Sequence, residues 1–169
     1  MSASLLPPSV LAARLLPLLD LTSLGEDDTP EAIRVLCARA RLPSGLPAAL
    51  CVYPEHVTTV REALGDTSAK VATVVNFPDG GSDAARIARE TRRAIAAGAD
   101  EIDMVLPYRA LLAGDAALAR VCVDACRAAC GDGVLLKLII ESGELATPER
   151  IREACRIGPV GDHRSDPGT

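Results

Sequence analysis

Five short apolar runs alternate with longer amphipathic stretches along this chain, and no other feature restricts its fold as much. The runs predict strands over residues 16–21, 48–53, 70–76, 101–106 and 134–140, with helices over 8–15, 30–40, 54–64, 83–97, 109–129 and 148–156. Strands buried on both faces and followed by amphipathic helices are the pattern of a parallel sheet with crossover helices. Thr29-Pro30 and Thr147-Pro148 each set a hydroxyl cap before a proline suited to the first helical position, and Ser82 or Asp83 can cap the middle helix. Gly98 ends one helix ahead of a strand, and Gly131 to Gly133 do the same before the next.

Two of the predicted strands carry a charge inside an apolar run: Asp103 in 100–106 and Lys137 in 134–140. Burying a charge is costly unless it is paired or used. Strand parity puts Glu101, Asp103 and Val105 on one face of their strand and Leu135, Lys137 and Ile139 on one face of theirs. With helices covering the outer face, Lys137 and Asp103 point inward. An amine facing a carboxylate is what carbonyl chemistry through an imine requires, and the chain offers only two lysines, Lys70 and Lys137. Asp20, Asn76, Glu141 and Glu144 are expected at or just beyond the C-terminal ends of strands, where barrel enzymes gather their catalytic groups.

At 169 residues the chain is of one-domain length, enough to bury roughly two thirds of its unfolded surface. A net charge of -5 and an aromatic content of 2% argue against a nucleic-acid surface. The apolar N-terminus lacks a basic leader and is interrupted by Pro7, Pro8 and Arg14, so neither a signal peptide nor a membrane span is expected, and the expected location is the cytoplasm. Cys37, Cys51, Cys122, Cys126, Cys130 and Cys155 lack the paired short spacings of a zinc site. Cys122, Cys126 and Cys130 recur every four residues, as small hydrophobes on one helix face would. His56 and His163 are too few for a metal site and are expected at the surface. Arg89, Arg92 and Arg93 with Glu90 read as a solvated helix face, and Pro78 to Gly81 as a tight turn.

Five segments, in order, carry a family resemblance: Leu19-Asp20-Leu21-Thr22, Ala49-Leu50-Cys51-Val52-Tyr53-Pro54, Val75-Asn76-Phe77-Pro78-Asp79-Gly80, Gly98-Ala99-Asp100-Glu101-Ile102-Asp103-Met104-Val105, and Leu136-Lys137-Leu138-Ile139-Ile140-Glu141-Ser142-Gly143-Glu144-Leu145. From about Leu11 to about Ile157 the chain resembles the deoxyribose-phosphate aldolases. The resemblance implies an α/β fold of the TIM (β/α)8 barrel family, here a partial barrel of about five βα units over residues 1–157. It also implies a lyase that reversibly splits 2-deoxy-D-ribose 5-phosphate into D-glyceraldehyde 3-phosphate and acetaldehyde through a lysine Schiff base, with no cofactor and no metal. Under it, Asp103 matches the acid/base carboxylate of the proton relay and Lys137 an accessory lysine. Asp20 matches a polar partner on the first strand, Cys51 a thiol near the pocket, and Asn76 and Glu141 positions at the pocket rim. The implied partner is a small phosphorylated sugar or aldehyde.

Family members continue into a sixth strand with a Phe-Ile-Lys-Thr-Ser-Thr-Gly type motif, whose lysine forms the imine, and later strands add a second lysine and a glycine-rich phosphate cradle. Here residues 158–169 match none of this and read as an unrelated, disordered tail. The expectation is therefore a C-terminally truncated aldolase. Two further readings follow. In one, Lys137, its pKa lowered by desolvation, takes over imine formation; in the other, it stays charged against Asp103 and the fragment is inactive, self-associating or pairing with another chain through open strand edges.

Overall fold

The computed structural model describes residues 7–158; the predicted tail beyond them lies outside the described residues. Five strands, β1 (Asp20–Ser23), β2 (Ala49–Val52), β3 (Lys70–Val75), β4 (Glu101–Val105) and β5 (Leu135–Ile139), form one sheet in chain order, every neighbouring pair parallel. Helices α1 (Pro8–Leu15), α2 (Pro30–Arg39), α3 (Val57–Leu64), α4 (Ala84–Ala96), α5 (Tyr108–Leu112), α6 (Ala116–Cys130), α7 (Ser142–Leu145) and α8 (Pro148–Ile157) accompany them. The expected caps form: Thr29 accepts from the amide of Ala32, Asp83 from Arg86 and Thr147 from Arg150.

Alternation along the strands builds two apolar layers. Leu50, Val52, Val71, Ile102 and Met104, all fully buried, face the helices and join Ile33, Ile87 and Val123 in the main core. Cys122, Cys126 and Cys130 lie in that core as small apolar residues, with the Thr91 hydroxyl 3.3 Å from the Cys126 sulfur. The other face carries a smaller cluster of Ala49, Cys51, Ala72 and Val74, with Ile139 and Phe77 against it. Small side chains there suit the crowded concave side of a curved sheet.

Three sequence expectations need correction. The first strand begins at Asp20, not at residue 16, because Leu16–Leu18 form a 3-10 turn closed by the Leu19 amide on the Leu16 carbonyl. Pro17 inside that leucine run has no amide to give to a ladder. The single helix expected over 109–129 is two, broken at Gly114 with φ 84, after which Asp115 caps α6 through the amide of Leu118. His56 is buried rather than exposed, at 7% accessibility.

Two devices hold β3 and β4 in place. Asp100 accepts from Arg61 at 2.6 Å and from the Val71 amide at 2.9 Å, tying the start of β4 to α3 and β3. At the other end, Asn76 adopts φ 55 and donates its side-chain amide to the carbonyls of Gly81 (2.8 Å) and Val105 (2.9 Å). The tight turn expected after it closes with the Gly80 amide on the Asn76 carbonyl. Gly80 has φ 61, and a Cβ there would meet the Leu106 carbonyl oxygen at 2.6 Å, so only glycine fits.

Candidate active site

Register brings the two strand charges together: Asp103 on β4 stands opposite Lys137 on β5. Because β4 sends Ile102 and Met104 to the helices, Glu101 and Asp103 must face the concave side, where Lys137 also points. The ammonium of Lys137 meets three carboxylates: Asp20 Oδ2 at 2.8 Å, Glu101 Oε2 at 3.1 Å and Asp103 Oδ1 at 3.1 Å. An ammonium carries three donors, so the group has the capacity to serve all three. Only the Asp20 contact is an aligned hydrogen bond; the buried Oδ1 of Asp103 has a charge contact without an aligned donor.

The Lys137–Asp20 contact also defines the sheet's curvature. β1 and β5 are opposite edges, and four strand spacings would separate them by about 19 Å in a flat sheet. A direct bond across that span requires the sheet to roll into a trough, which is the geometry of an incomplete barrel.

Electrostatics differentiates the members. Burial, the largest influence on Asp103, raises its pKa above the ordinary aspartate value; attraction to Lys137 opposes this, while the charges of Asp20 and Glu101 reinforce it. For Lys137 burial is again the largest single influence and favours the neutral amine, but the hydrogen bond to Asp20 and the attraction of Asp103 and Glu101 outweigh it and hold the pKa well above the lysine range. The lowered amine pKa expected from an apolar strand is therefore reversed. Cys51 places its thiol 3.8 Å from Asp103 Oδ2. Burial, and then the charge of Asp103, push that thiol up to about 12.

Asp20, Cys51, Asp103 and Lys137 thus converge, and Glu101 joins them although the sequence reading did not select it. Its signal was present: Glu101 lies two positions before Asp103, on the same face. Asp20 enters from the first residue of β1, not from a strand's C-terminal end. Among the described residues neither Asn76 nor Glu141 shares a hydrogen bond or ion pair with the cluster. The Asn76 amide is committed to two backbone carbonyls. Glu141 precedes α7 with φ 53, and no hydrogen bond or ion pair among the described residues holds its carboxylate. Among the described residues no set of three or more His, Cys, Asp or Glu is placed to hold a metal ion.

The model of the DeoC/LacD family of aldolases matches residues 15–159. The chain belongs to that family. A structure assigned as a deoxyribose-phosphate aldolase from Coccidioides immitis superposes on this DeoC/LacD family chain with a TM-score of 0.80 at 29% identity, over 86% of this chain and 56% of that one. Another so assigned, from Toxoplasma gondii, gives 0.77 at 23% identity, over 89% and 59%. A tetrameric deoxyribose-phosphate aldolase from Aeropyrum pernix gives 0.70 at 23% identity, over 89% and 62%. The last two show likeness of fold alone. The family chain spans between 56% and 62% of the length of these structures, and its five-stranded trough is the corresponding part of their barrel.

Proposed function

We propose that the chain carries the proton-handling part of a Schiff-base aldolase site acting on 2-deoxy-D-ribose 5-phosphate, with Asp103 as the acid/base group. The observation that carries this reading is the Asp103–Lys137 contact at 3.1 Å on the concave face. A carboxyl whose pKa is raised by burial exchanges its proton nearer to neutrality than an ordinary aspartate, which suits it to move protons at carbon next to an imine. Lys137 serves as a fixed cation that stabilises the ionised form of Asp103, and Asp20 and Glu101 anchor that cation.

Lys137 is not the imine nucleophile in this reading, because an amine must lose its proton to attack a carbonyl and three carboxylates oppose that loss. Lys70 is exposed at the first residue of β3, the end of the strand remote from its rim. The imine amine is then supplied from outside these residues.

Borohydride trapping tests the assignment. After incubation with acetaldehyde and reduction, peptide mass spectrometry is expected to find no more adduct on Lys137 in the native chain than in the denatured one. Selective ethylation of Lys137 would make it the nucleophile and overturn its role as a fixed cation.

A second reading is favoured by the sheet edges. Among the described residues β1 and β5 each pair on one side only, and Leu135 and Leu19 beside them are about half exposed. Such edges invite strand addition, so we infer pairing with another chain or self-association as the route to a complete site. Sedimentation of the purified chain as a monomer across the micromolar range would count against self-association.

A further inference from the structure

A cavity of about 430 Å³ opens beyond the ends of β2 and β3, and none of Asp20, Glu101, Asp103 and Lys137 lines it. Its size falls within the range of small-molecule sites, roughly 300–1,000 Å³. The chain has three aromatic residues, two Tyr and one Phe, and two of the three stand here. Tyr53 and Phe77 pack edge to face with ring centroids 5.7 Å apart and planes at 69°. Both are half-buried rather than enclosed, and Ala94 of α4 and Ala97 just past its end leave room beside them.

The charges at this cavity are unequal in availability. Glu90 is spent, since it accepts from the backbone amide of Asn76 at 2.9 Å and from Arg86 at 2.6 Å. Those bonds also make the frame rigid. Arg93, exposed on α4, has no hydrogen bond or ion pair from its guanidinium among the described residues, although it lines the cavity. A planar guanidinium lining the same cavity as an aromatic pair can meet a carboxylate with two parallel donors while the rings take an apolar body. With Glu90 neutralised by Arg86, the Arg93 guanidinium faces only the carboxylate of Glu55, and this near-neutral balance disfavours a doubly charged phosphate ester relative to a single negative charge.

We propose that this cavity binds small aromatic monocarboxylates, the ring against Tyr53 and Phe77 and the carboxylate on Arg93. None of the four charged residues of the carboxylate–lysine cluster lines the cavity, and its occupancy is read without any imine chemistry.

The test is a titration of the full chain, followed by amide NMR, with hydrocinnamate, with its neutral amide, and with inorganic phosphate. Hydrocinnamate is expected to shift the resonances of Tyr53, Phe77, Ala94 and Ala97. Its affinity should fall about tenfold in Arg93→Gln, as loss of a charge-assisted hydrogen bond implies, and stay unchanged in Arg92→Gln, whose exposed side chain does not line the cavity. The neutral amide should bind as weakly to the unaltered chain as hydrocinnamate binds to Arg93→Gln. No shift at millimolar hydrocinnamate, equal binding by Arg93→Gln, or phosphate binding as tightly as hydrocinnamate would each overturn the proposal.

Discussion

Lys137, on one edge strand of the sheet, holds Asp20 on the opposite edge strand at 2.8 Å. The contact spans the trough that the five strands form, so it acts as a tie across the open side of an incomplete barrel. Removing the amine would leave Asp20, Glu101 and Asp103 facing one another.

Lys137→Met is therefore expected to lose about 1–3 kcal/mol of stability at neutral pH, less than for a fully buried pair because the lysine side chain is 35% exposed. Asp103, already raised by burial, loses the lowering influence of Lys137 in the variant while the charges of Asp20 and Glu101 keep raising it. Its contribution is favourable below its unfolded pKa of 3.8 and is lost as pH rises through the folded value. The deficit of the variant should thus shrink on acidification, which urea unfolding at a series of pH values would show; a deficit independent of pH would mean that packing, not charge, is at stake.

At alkaline pH the sign follows from Lys137 itself. Its folded pKa lies above the unfolded value of 10.5, so its stabilisation is complete below that value and is lost as pH rises through the folded one. The stability gap between the native chain and Lys137→Met should hold up to pH 10.5 and narrow above it. Narrowing that began near neutrality would show that the amine has a low pKa.

Asp103 binds its proton more tightly in the fold than in the unfolded chain. A raised carboxyl contributes stability fully below its unfolded pKa of 3.8 and loses that contribution as pH rises through the folded value. Relative to Asp103→Asn, which has no titrating group, the native chain should be most favoured below pH 3.8. Direct carboxyl NMR titration of Asp103 would check the direction.

Thiol reactivity should divide by burial. Cys155 is exposed and the other five cysteines are buried, with Cys51 raised to about 12. A chromogenic disulfide reagent at neutral pH is expected to titrate one thiol promptly, mapped to Cys155, and the rest only on unfolding. Fast modification of Cys51 would contradict its burial and its pairing with Asp103.

Asn76 combines a left-handed backbone with two side-chain bonds. Asn76→Gly keeps the backbone and loses the bonds, whereas Asn76→Ala loses both advantages. The alanine variant should be less stable than the glycine variant by about 1 kcal/mol, measured by chemical unfolding.

Much of this architecture can be read from pattern. Period-two alternation and proline-preceded caps locate the strands and most helices, because each depends on neighbours within a few residues. The same parity places Asp103 and Lys137 on one face, and their adjacency then needs only that consecutive strands pair in parallel. The leucine run at 15–19 misleads, since hydrophobicity cannot distinguish a strand from a proline-containing 3-10 turn. Gly114 splits a helix whose amphipathic period continues on both sides of the break.

What chain-local information cannot supply is how far the sheet curls. Residues 20 and 137 are 117 positions apart, and their bond exists because four successive strand pairings accumulate into a trough. That curvature adds Asp20 to the two carboxylates that β4 already sets beside Lys137, and the three together reverse the pKa shift that desolvation alone implies. Residue type and strand parity set which charges face inward; the distance between opposite edges, which decides whether Asp20 reaches Lys137, is a property of the folded sheet as a whole.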